Sequence, residues 1–181
     1  MLGPRTIAVG VLLAGTLAPR AARAAVILGE KEALARVFSD AEVQRRTVYL
    51  TNEQVGAIEK AARSKLPSAL VTVFEARTNG SLVGRALLDT HVVRTMPESV
   101  LVVVAPDGSL RKALVLQFGE PPDYLPREGW LRTLEGGSLS DDLWPGRGVR
   151  RVTGATLTVQ ALTESVRRCL AIHAIVFPRQ P

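Results

Sequence analysis

The stretch Ser99-Val100-Leu101-Val102-Val103-Val104-Ala105 decides the fold. Five consecutive apolar residues, four of them valine, favour a strand, and a run with no polar position cannot face water on either side. It predicts a central strand. Working outward, Pro106-Asp107-Gly108 is turn chemistry, and residues 110–118 read as a strand returning antiparallel to the first. Upstream, Leu70-Val71-Thr72-Val73-Phe74 and residues 82–88 flank Thr78-Asn79-Gly80-Ser81, which has the Asn-Gly pair of a tight hairpin. Four strands in a meander give a mainly antiparallel sheet.

Helical spacing lies on both sides of that sheet. Residues 30–38 and 52–65 read as helices, the second opened by Thr51 with Gln54 three residues on, as in a capping box, and closed by Pro67. Residues 120–127 are Pro-rich, 128–134 read as a short helix, and 135–151 as loop. A long helix over residues 157–175 closes the chain, with Val159, Leu162, Val166, Leu170 and Ala174 on one side. The expectation is an α+β domain of about four antiparallel strands, with N-terminal helices and the C-terminal helix packed on the sheet.

Hydrophobic residues make up 46% of the 181 and aromatics only 4%, so the core must be aliphatic. Residues 1–24 read as a signal peptide: Arg5 precedes an apolar run, and Ala22-Arg23-Ala24 has the form of a cleavage site. The apolar run, about 13 residues, is short of the roughly 20 that span a bilayer, although an uncleaved anchor stays open. Export is expected, and two further parts follow the leader: an N-terminal helical segment over 25–68 and a ligand-binding domain over 69–181. Without the leader's three Arg, the formal charge falls from +6 to +3. With Arg dispersed and few aromatics, the pattern is not that of a nucleic-acid binder. Two His and one Cys leave no disulfide framework and no zinc spacing; Cys169 reads as a buried small hydrophobe.

Chemistry concentrates in Thr153-Gly154-Ala155-Thr156-Leu157-Thr158. A loop entering a helix offers unpaired N–H groups and a positive dipole end, which suits an anion. Gly154 allows close approach, Ala155 adds little bulk, and three Thr hydroxyls surround a phosphate-sized space. Arg147, Arg150 and Arg151 stand upstream with charge to add. A helix capped by Thr153 or Thr156, with solvated Arg residues, accounts for the same spacing.

Thr-Gly-Ala-Thr-x-Thr at the start of a C-terminal helix resembles the motif of the FMN-binding domain family. That family includes the FMN-bearing extracytoplasmic subunits of the sodium-pumping NADH:quinone reductase and of Rnf complexes. The resemblance covers residues 70–175 and is specific in the six motif residues. It implies FMN as cofactor, linked as a phosphoester to Thr156 by a Mg-dependent flavin transferase that uses FAD, with Thr153, Gly154, Ala155, Leu157 and Thr158 around it. Glu120, in Glu120-Pro121-Pro122-Asp123-Tyr124, falls where the family has a Glu-Thr-Pro-Gly-like stretch. Where the family usually has Asp followed by a small residue, six positions before the acceptor, this chain has Arg150 and Arg151; Asp141 and Asp142 lie too far back to replace it.

The function implied is that of a periplasmic or otherwise extracytoplasmic, membrane-associated electron-transfer module, not an enzyme with its own substrate. Its partners would be a membrane redox complex or an extracytoplasmic electron acceptor. Alternatives are a non-covalent or non-flavinylated accessory protein on the same fold, and a flavin-dependent reductase of small molecules. Trp130, Tyr124, Leu157 and Trp144 are candidates to pack on the ring system. His91, beside Asp89 and Thr90, reads as hydrogen-bonded structure, and His173 as a packed helix residue.

Overall fold

The computed structural model describes residues 25–178, so the expected signal peptide lies outside the described residues. The elements in chain order are β1 (Ala25–Val26), α1 (Glu30–Val37), β2 (Glu42–Tyr49), α2 (Asn52–Ala62), β3 (Leu70–Thr78), β4 (Ser81–Val92), β5 (Pro97–Val104), β6 (Leu110–Phe118), a 3-10 turn (Pro122–Tyr124), α3 (Glu128–Arg132) and α4 (Thr156–Val176). All strands join one antiparallel sheet in the order β1-β6-β5-β4-β3-β2.

The sheet is therefore six-stranded, not four-stranded. The two additional strands lie in residues 25–68, which were expected to be helical. β2 is an edge strand whose exposed positions include Arg45 and Arg46. A solvated edge needs no apolar alternation and is often protected by charge. β1 has only two residues, too few for any periodicity.

β5 occupies an interior place, and Val100, Leu101, Val102, Val103 and Val104 are all inaccessible to solvent. Its even-numbered residues pack with Val71, Val73 and Leu87 under α2 and α4; Leu101 and Val103 pack with Phe74 and Ala86 under α1. The Asn79-Gly80 turn has φ of 50° and 79°, the two positive values that a tight two-residue hairpin requires. Thr51 and Gln54 form the expected capping box. α2 ends at Ala62, earlier than Pro67 suggested, because Arg63 adopts a left-handed conformation with φ 54°.

α4 is fastened to its surroundings by two consecutive arginines. Arg167, almost fully buried, donates to the carbonyls of Ala61, Ala62, Ser140 and Leu143, tying the end of α2 and the loop before α4 to the helix. Its cation also lies 5.2 Å from the centre of the Trp144 ring. Arg168 pairs with Asp89 of β4 through two hydrogen bonds of 2.8 Å.

Arg167→Met preserves much of the side-chain length and removes every donor. Stranding these carbonyls should destabilise the fold by about 3 kcal/mol, measured by urea denaturation. An unchanged midpoint would show that the carbonyls have no need of the arginine.

Candidate functional site

α4 begins without a side-chain cap. Its N-cap is Ala155, and neither Thr153 nor Thr156 caps it. The Ala155 amide donates to the Val152 carbonyl, and the first helical bond runs from Val159 N to Ala155 O. The amides of Thr156, Leu157 and Thr158 thus point out of the helix start with no helical acceptor. Gly154 has φ 84°, while a Cβ there would meet nothing within 4 Å. The demand for glycine is conformational, not a matter of space.

A small open groove of about 170 Å³ lies at this point, walled by Arg94, Tyr124, Gly154, Ala155, Thr156, Leu157 and Thr158. Thr156 is exposed, Leu157 is 47% exposed, and Thr158 is 2% exposed and faces inward. Five of the six motif residues therefore meet at one groove. Thr153 is exposed but is not part of its wall. The volume is below the roughly 300–1,000 Å³ that encloses a whole drug-sized ligand, but it is ample for a phosphate.

Several expected contributors lie elsewhere. Arg151 packs across Gly146, where its guanidinium would meet an added Cβ at 2.6 Å. Arg147 reaches Asp141, and Arg150 is exposed, with its carbonyl accepting from Trp130 Nε1 at 2.8 Å. None of the three lines the groove, because the loop turns them outward before the motif begins. Trp130 is buried in the core and Trp144 is packed on Arg167, so of the four candidate ring contacts only Tyr124 and Leu157 are at the groove.

Glu120 is also absent from the groove wall. Its Oε1 accepts from the backbone N–H of Thr95 at 2.8 Å and of Met96 at 3.0 Å, bracing the turn between β4 and β5. These bonds, that from Thr95 foremost, hold its carboxyl below the usual range. The braced turn carries Arg94, which sequence reading missed. Its guanidinium lies 4.9 Å from the centre of the Tyr124 ring. The available signal was slight: one Arg in a hairpin connection, distant from the motif in the chain.

A buried chain of charge lies beneath the same hairpin. His91 Nδ1 is 2.7 Å from Asp89 Oδ1, its Nε2 is 3.1 Å from Glu98 Oε2, and Asp89 is held by Arg168. Arg168 also donates to Ser64 Oγ, which in turn donates to Glu164. Burial opposes charge on His91, but its bonds to Asp89 and Glu98 win, raising it to about 9; protonated, it donates from both nitrogens. Burial would raise Asp89 too, but Arg168 and His91 hold it well below its usual range. Glu98 is pushed up by burial, and its Oε1 has no hydrogen-bond partner among the described residues. His91 is thus a structural histidine, as is His173, which is buried beside Arg85 and Phe177. Cys169 is buried on α4, where burial pushes its thiol well up.

No protein-family model matches the chain, and no curated protein does. In fold the chain is similar to the crystal structure of NqrC from Shewanella oneidensis, with a TM-score of 0.55 and 19% identity, over 78% of this chain and 84% of that one. At that identity the likeness is one of fold. Among the described residues, no helix is long and apolar enough to cross a membrane.

The His91 cluster makes stability depend on pH. A histidine raised from 6.5 to about 9 stabilises the fold fully below pH 6.5 and loses that contribution as pH climbs through 9. The raised Glu98 acts in the same direction, since the folded state again holds the extra proton. Stability should fall by about 3 kcal/mol between pH 6.5 and 9.5, at about 1.4 kcal/mol per unit. Urea midpoints across that range should flatten in His91→Gln. A fall of equal size in the variant would remove His91 from the explanation.

Proposed function

We propose that this chain is an exported electron-transfer protein that carries FMN linked through its phosphate to Thr156. The observation that carries the reading is the motif's local geometry: an exposed Thr156 hydroxyl on the first residue of an uncapped helix, preceded by a glycine at φ 84°. An uncapped helix start attracts negative charge, and a phosphodiester keeps one. The antiparallel α+β fold, shared with Shewanella oneidensis NqrC, supports the same reading.

The residues present fit such a group. Thr156 supplies the hydroxyl and the helix start supplies N–H donors. Thr158, fixed by burial, closes the inner end of the groove, and Leu157 offers an apolar surface beside it. The flavin would supply one- or two-electron redox chemistry; the protein's share is grip, placement and exclusion of water from one side. A flavin transferase would make the tether, so no catalytic base is required of this chain. The donor and acceptor of electrons would be a membrane redox complex and an extracytoplasmic partner.

A second reading is favoured by Arg150. Its exposed side chain stands where the resembling family has Asp, so a transferase that reads that position would meet a cation. On this reading the same groove holds FMN without a covalent bond, or the chain serves a redox complex as an accessory protein without flavin.

Intact mass of the protein from its own host separates these readings: FMN joined with loss of water adds about 438 Da. Thr156→Val keeps the β-branched shape and deletes the hydroxyl, so it should abolish flavin that survives denaturation while leaving the free energy of unfolding within about 0.5 kcal/mol. Covalent flavin persisting in that variant would place the attachment elsewhere.

A further inference from the structure

Among the described residues, Arg94 is the one cation in the groove wall. Some arginines of the fold find carboxylates, Arg63 with Asp141, Arg77 and Arg85 with Glu75, Arg168 with Asp89, whereas Arg45 and Arg111, like Arg94, lie over aromatic rings. Arg94 belongs to none of the ion pairs among the described residues, and its guanidinium lies over the Tyr124 ring.

The turn beneath it is nevertheless held firmly. Val93 N donates to Met96 O to close it, Gly119 N donates to Pro97 O, and Glu120 takes the Thr95 and Met96 amides. Two residues below, His91 and Glu98 face each other across the same pair of strands. An exposed residue on such a turn would ordinarily be free to move. Here Glu120 takes the backbone amides of the turn, the His91–Glu98 side-chain pair ties the two strands beneath it, and the ring of Tyr124 lies under the guanidinium. Holding a side chain in place before a ligand arrives lowers the entropy lost on binding. The forked donors of a guanidinium match the oxygens of a phosphate, and nothing in them suits an uncharged sugar alcohol better than water does.

We infer that Arg94 selects a phosphorylated flavin over riboflavin at this groove, and that Glu120 is the positioning residue that holds Arg94 in place. The inference rests on the flavin reading given above and assigns the recognition of the phosphate to a residue outside the motif.

The test uses the full chain purified without flavin, titrated separately with FMN and with riboflavin and followed by flavin fluorescence. The wild type should bind FMN more tightly than riboflavin by about tenfold or more, the scale of one charge-assisted hydrogen bond. Arg94→Gln should lose that factor for FMN and leave riboflavin unchanged. Glu120→Ala should share the loss. Glu120→Gln, whose amide oxygen still accepts from Thr95 and Met96, should keep the preference for FMN, which a general weakening of the fold would not reproduce. Equal losses for both flavins in Arg94→Gln, or no loss for FMN, overturns the inference and leaves the flavin reading standing. A wild-type chain that binds neither flavin also overturns the inference; the flavin reading itself is decided by the intact mass, because a cofactor joined by a transferase does not depend on the affinity of free FMN.

Discussion

The bidentate pairing of Arg168 with Asp89 fixes α4 against the sheet, and most of the site follows from that fixing. Neither charge could be left in this interior alone: an unpaired buried ion costs several kcal/mol, and their mutual geometry offsets that cost only when the bonds are well formed. The helix is therefore confined to one register along β4. Thr156 lies twelve residues before Arg168, about 18 Å along the helix, so the placement of its first turn is set from a distance. Arg167, the neighbouring residue, lies about 100° further round the helix and fastens it to α2 and to the preceding loop. Nothing comparable ties down the first turn itself, which begins on Ala155 with no side chain to cap it.

That contrast gives the site its character. The body of the helix is tied down by the bonds of Arg167 and Arg168, while its beginning has donors without helical acceptors and, beside it, a cation that belongs to no ion pair among the described residues. The hairpin between β4 and β5 repeats the arrangement: His91 bonds Asp89 and one oxygen of Glu98, Glu120 takes the backbone of the turn, and the residue at the tip, Arg94, faces the groove. Two rigid supports thus present unsatisfied groups to one small space.

How far this was legible in the sequence depends on what kind of burial each residue experiences. β5 was readable because it is covered on both faces, and a run of valines has few other homes. The capping box at Thr51 and the Asn79-Gly80 turn were readable because their chemistry is local. β2 was not, since an edge strand with Arg45 and Arg46 in water shows no alternation that separates it from loop. That Gly154 to Thr158 would share one groove was legible because the stretch is contiguous. Arg147, Arg150 and Arg151 could be read from the sequence either as charge for the site or as solvated residues; nearness in the chain does not decide between these, and in the fold none of the three lines the groove. Arg94 reaches the groove through the pairing of β4 with β5, and Glu120 acts on that turn, not on the groove. Both relationships are tertiary, and no short-range pattern carries them.

The chain contains two tryptophans, and both lie between β6 and α4, Trp130 within α3 and Trp144 in the loop that follows it. Trp130 is enclosed, with its indole N–H engaged by the carbonyl of Arg150; Trp144 is half-buried under the Arg167 cation. The ultraviolet emission of the folded protein accordingly arises from the segment that leads directly into the motif, while the sheet and α1 are optically silent at tryptophan wavelengths. Movement of that segment, or an acceptor chromophore arriving beside it, registers in the native fluorescence without any label.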